Sequence, residues 1–142
     1  MSSLEKRAWL ALWSQCPPYL VYFLIQASQP PWLATFLERI ACLAVVAGTH
    51  AIAYLIGLML LKRQERGEPL LLDERDRTLD ARATRTAYFV MLTGMIVVGV
   101  VMPFSDTGWK ITNTALFAIV LAETVRYALI VLGYRKVPRL AH

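Results

Sequence analysis

Four long apolar stretches dominate the chain and leave few choices for its fold. They run over residues 8–27, 33–61, 83–104 and 111–134. Each supplies the about 20 apolar residues that an α-helix needs to cross a hydrocarbon core about 30 Å thick. Such a core offers no water to bare N–H and C=O groups, so segments of this length satisfy their backbones only as helices. Breakers separate them: Ser28-Gln29-Pro30-Pro31, Gly67-Glu68-Pro69 and Pro103-Phe104-Ser105-Asp106-Thr107-Gly108. The spacing predicts an all-α integral membrane bundle of four transmembrane helices in one domain, 1–142. Two connections are short, and the one over 62–82 is long and charged.

Composition points the same way. Hydrophobic residues make up 57% of the chain, charged residues 18%, and mean hydropathy is +0.48. Soluble domains are about half apolar and about a quarter charged. A disordered chain, a collagenous repeat and a typical soluble enzyme are excluded. With Cys16 and Cys42 as the two cysteines, so is a disulfide scaffold.

The cations set the threading. Lys6, Arg7, Lys62, Arg63, Arg66, Arg75, Arg77, Arg82, Arg85, Arg135, Lys136 and Arg139 fall on one side of the predicted membrane, and Lys110 on the other. The positive-inside rule then places both termini in the cytoplasm. Trp32 and Trp109 mark the outer interface, Trp9 and Tyr134 the inner one. The net charge of +5 is accounted for by this topology and by attraction to anionic headgroups of the cytoplasmic leaflet. It calls for no direct nucleic-acid partner. Lys6-Arg7 before an apolar run resembles a secretory leader, with Ile25-Gln26-Ala27 as a weak cleavage context. The expectation is nevertheless an uncleaved first helix.

Charges inside a span are the natural candidates for function, because each is costly in lipid. Glu38 and Arg39 fall near the outer interface, as a snorkelling pair. At about 1.5 Å per residue, Glu123 counted from Tyr134 and His50 counted from Leu61 both lie about 16 Å from the inner boundary, at the midplane. Arg126 follows Glu123 at i+3. The expected intramembrane cluster is a Glu123–Arg126 pair with His50 as an interhelical partner. Two readings stand: a lock on helix packing or oligomer register, and a proton, ion or solute path.

Helix packing has its own signals. Ala44-x-x-x-Gly48, Ala47-x-x-x-Ala51 and Ala53-x-x-x-Gly57 nominate the second span as the central contact, since small residues let helices approach closely. Pro17-Pro18 predicts a kink in the first helix, because proline removes a donor and clashes with the preceding turn. Cys16 and Cys42 lie at different depths and are not expected to meet. The chain carries no CxxC, HxxxH, HExxH, GxSxG or glycine-rich phosphate loop. No metal, cofactor or enzymatic activity is expected.

The most distinctive stretch is charged. In Asp73-Glu74-Arg75-Asp76-Arg77-Thr78-Leu79-Asp80-Ala81-Arg82-Ala83-Thr84-Arg85, Asp73 is a suitable N-cap and an i,i+4 partner for Arg77. No breaker separates this stretch from the third span, so one helix is expected to continue into the cytoplasm. Asp73, Glu74, Arg75, Asp76, Arg77, Asp80, Arg82 and Arg85 form either a solvated turn gripping lipid phosphates or a docking surface for a cytoplasmic regulatory protein. An acidic-Arg-Asp cluster, then Arg82-Ala83 and Tyr88 opening the third of four spans, resembles a family of small prokaryotic integral membrane proteins classed as a domain of unknown function. The resemblance implies a regulatory or scaffold role in the prokaryotic inner membrane and carries no catalytic residues. The expected function is thus a docking scaffold or small subunit of a homo-oligomer or larger membrane complex. The alternative is an oligomeric transporter or channel.

Overall fold

The computed structural model of the chain describes residues 2–65 and 73–136. The expected Gly67-Glu68-Pro69 turn and the cations Arg66 and Arg139 lie outside these residues. Among the described residues every regular element is a helix. Four are long: α1 (Ser3–Ser28), α2 (Phe36–Gln64), α3 (Glu74–Ile96) and α4 (Gly108–Arg135). The predicted all-α class is therefore observed. Three stretches are long and apolar enough to cross a membrane: α2, α3 with its continuation to Phe104, and α4. Helix α1 is comparable in length, but Ser14, Gln15, Pro17 and Pro18 dilute its apolar run.

Local chemistry explains each boundary. Helix α1 stays helical through Pro17 and Pro18, so the two prolines do not divide it. It ends where Gln29 takes a left-handed φ of 44°, a C-terminal cap conformation that Pro30 then prevents from continuing. Helix α2 opens on a capping box. The Thr35 N–H donates to Glu38 Oε2 at 2.8 Å, and the Glu38 N–H donates to Thr35 Oγ1 at 3.4 Å. The expected Glu38–Arg39 pair thus resolves into two separate roles at the helix start. Glu38 caps the helix, and Arg39 Nε donates back to the Leu33 carbonyl at 2.9 Å. Thr35→Ala is expected to lower the melting temperature in detergent through a loss of about 1 kcal/mol, the usual contribution of such a cap.

Helix α3 starts at Glu74, so the charged stretch and the third apolar run form one helix as expected, and its backbone runs on through a π turn (Val97–Val101) and a 3-10 turn (Met102–Phe104). Asp73 is its N-cap, as expected, with its carboxylate accepting the Glu74 N–H at 2.8 Å. That geometry turns the side chain onto the helix end, so the anticipated Asp73–Arg77 ion pair is not formed. Proline at 103 supplies no N–H, consistent with the loosened ladder just before the end of the element.

The described residues divide into two compact units, one from Trp9–Leu70 and the other from Met1–Ala8 with Leu71–His142. In the first, Tyr22 of α1 is fully buried and Leu10 of α1 packs at Gly57 of α2. The second is built on α3 and α4. Its buried positions on α3 are Asp76, Ala83 and Ala87, with Val98 in the π turn that follows, and on α4 Ala118, Ala122, Ile130 and Val131. Whole turns separate the α3 positions and keep them on one stripe, and small residues let the two backbones close together. The closest point is Gly94, where a Cβ would lie 2.5 Å from that of Ala118. Within the first unit the small-residue stripe of α2 is used only in part: Gly57 meets Leu10, whereas open space surrounds Gly48 and no α2 residue is fully buried.

Candidate functional site on the paired helices α3 and α4

The charged stretch before the apolar run of α3 is split between two opposite faces. A helix repeats every 3.6 residues, so Asp76, Asp80 and Ala83 share one face while Glu74, Thr78, Ala81 and Arg85 share the other. The first face meets α4. Asp76 is 8% exposed and accepts a hydrogen bond from the Tyr134 hydroxyl. The Arg75 guanidinium stacks over the Tyr134 ring at 5.5 Å. One turn on, Arg126 Nη2 donates to Asp80 Oδ1 at 3.0 Å. Leu79 packs on Gly133 between these two contacts.

Of the expected Glu123–Arg126 pair only a charge attraction without a hydrogen bond is present; Arg126 donates instead to Asp80, 46 residues earlier in the chain. A long guanidinium side chain can cross to a facing helix, and here it finds the Asp80 carboxylate there. Arg126 is thereby level with the charged turns of α3 and not with its apolar run. It also lies over its neighbour Tyr127 at 5.6 Å. Glu123 is half-buried one turn away, and its carboxylate makes no hydrogen bond or ion pair among the described residues. His50 belongs to the unit of α1 and α2. Its ring meets Tyr19 edge-on at 5.6 Å and Tyr54 at 6.4 Å. A histidine in that setting is an aromatic packing partner linking α1 to α2.

The second face of α3 is open. Glu74, Arg77, Thr78 and Ala81 are exposed and, with Asp73, line a shallow groove of about 510 Å³. Of the eight anticipated docking residues, Asp73 is committed to the helix cap, Arg75 and Asp76 to Tyr134, and Asp80 to Arg126. Glu74, Arg77, Arg82 and Arg85 remain exposed with no ion pair among the described residues. Cys16 and Cys42 are unbridged, as their different depths require. Among the described residues no group of three or more His, Cys, Asp and Glu side chains could hold a metal ion.

Sequence reasoning missed Tyr134 as the partner of Asp76, having assigned it only to the membrane interface. The signal that could have found it is register. Two antiparallel helices joined near residue 105 bring residues 76 and 134 to the same level. No family model, curated protein or solved structure matches this chain.

Proposed function

We propose that this chain is a non-enzymatic, multi-pass protein of a prokaryotic inner membrane that docks a cytoplasmic partner on the open face of α3. The carrying observation is the division of labour along that helix. Asp76 and Asp80 anchor it to α4, while Glu74, Arg77, Thr78 and Ala81 stay free on the opposite face. A helix held rigidly on one side presents its other side without further ordering entropy, which favours binding. Helix α1 serves as the fourth span, its polar residues turned from lipid, and both termini are cytoplasmic by the distribution of Lys and Arg.

Affinity purification from native membranes tests this reading. A partner retained by the wild type should be lost with the exchange E74R/R77E, while the variant keeps the wild-type melting temperature. Loss of nothing by that variant would overturn the docking role.

One observation favours a second reading. Glu123 sits within an apolar span with no bonded partner among the described residues, as a proton- or ion-carrying carboxylate would. Proteoliposomes decide. Proton or cation flux abolished by Glu123→Gln supports a transporter, and no flux in the wild type excludes it.

A further inference from the structure

Between α3 and α4, alongside their seam, runs an apolar groove of about 550 Å³. Its walls are Thr86, Phe89, Thr93 and Val97 on α3 and Phe117 and Leu121 on α4. Its floor is the close approach of Gly94 to Ala118. From Thr86 to Val97 the groove extends about 16 Å along the helix, close to half of a hydrocarbon core about 30 Å thick. One leaflet's acyl chain has that length.

The end of the groove is charged. Arg82 and Arg85 precede Thr86 and Phe89 by one turn each, on the same side of α3. Both are exposed, and neither pairs with a carboxylate among the described residues. Helix side chains lean toward the N-terminus, so these guanidiniums point out of the apolar region, where headgroup phosphates lie. A slot of one leaflet's depth with two unneutralised guanidiniums at its mouth is complementary to one kind of molecule.

We propose that this groove binds one acyl chain of an anionic diacyl phospholipid, with the lipid phosphate held by Arg82 and Arg85. The proposal rests on the reading of α3 and α4 as membrane spans. Guanidinium groups recognise phosphate in bidentate fashion, and each cation near the bilayer surface favours an anionic lipid. The groove adds what surface charge lacks, a fixed place for the chain. Such a lipid would bridge α3 and α4 along the face next to their seam.

Native mass spectrometry of the detergent-purified full chain, mixed with equal amounts of phosphatidylglycerol and phosphatidylcholine, provides the test. The wild type should retain one phosphatidylglycerol and no phosphatidylcholine. The R82Q/R85Q variant should retain phosphatidylglycerol at least about tenfold more weakly, as expected for the loss of two such cations. Thr93→Trp fills the groove without touching either arginine and should also displace the lipid. Leu121→Trp does so from the opposite wall, should the first substitution fail to fold. Glycerol phosphate, the headgroup without chains, should not be retained. Equal retention of both lipids would overturn the proposal. So would an equal loss in K6Q/R7Q, which removes the same charge elsewhere, or undiminished binding in both tryptophan variants. A chain that stays monomeric and folded in detergent-free buffer would instead sink the membrane reading itself.

Discussion

Gly94→Leu separates α3 from α4 and produces the largest loss of stability of any single apolar substitution in this protein. A Cβ at position 94 would already lie 2.5 Å from that of Ala118. Carbon atoms in contact prefer about 3.5–4.0 Å, so even a methyl group forces the backbones apart. Overpacking of this kind costs about 1–3 kcal/mol, and a leucine falls at or beyond the upper end. Thermal unfolding in detergent, followed by circular dichroism, should show a lower midpoint for Gly94→Leu and a smaller drop for Gly94→Ala. The exchange G94A/A118G moves the methyl group across the same contact and conserves the total helix propensity. It should return the midpoint nearly to that of the wild type, because the two positions are coupled through one shared space. An additive double variant would show that the seam does not run through these residues.

The second large effect concerns Arg126. Asp80→Ala removes the carboxylate to which its guanidinium donates across the seam, and destabilises the pair of helices. A fully buried ion pair broken on one side costs about 3–5 kcal/mol, and an exposed one about 0–1 kcal/mol. Here the side chains of Arg126 and Asp80 are 31% and 35% exposed, so a loss of about 2 kcal/mol is expected. Arg126→Leu is milder, because it removes the charge that suffers most from desolvation. D80A/R126L should recover most of the loss. Glu123→Gln gives the decisive contrast. It should change stability by less than about 0.5 kcal/mol, as for a group without a bonded partner. If Glu123→Gln destabilises as much as Asp80→Ala, Arg126 is held within its own helix and the antiparallel register described above is wrong.

Both results turn on contacts that join distant parts of the chain, and this is where sequence reasoning reached its limit. The Glu123–Arg126 pairing followed from spacing alone, since a helix wheel supplies only partners three or four residues away on the same helix. Asp80 lay outside that view. The small-residue stripe of α2 met a related limit. Small residues four apart permit close approach but do not say whether a neighbour accepts it. Ala44 and Gly48 make the better pattern, yet open space surrounds Gly48, whereas Gly94 of α3 meets Ala118 of α4. The charged stretch of α3 divided in two. Its eight residues were all located on one helix, but four of them proved to serve the helix cap and the seam.

What the amino-acid order decided by itself was the helical class, the position of the helices and the cap at Asp73. These depend on apolar run length, on backbone groups that must bond within their own segment, and on turn chemistry a few residues long. What only the tertiary structure decided was the pairing of charges and the choice of seam. Those depend on how two antiparallel helices slide past one another, and a single turn of slippage, about 5.4 Å, is enough to exchange every partner.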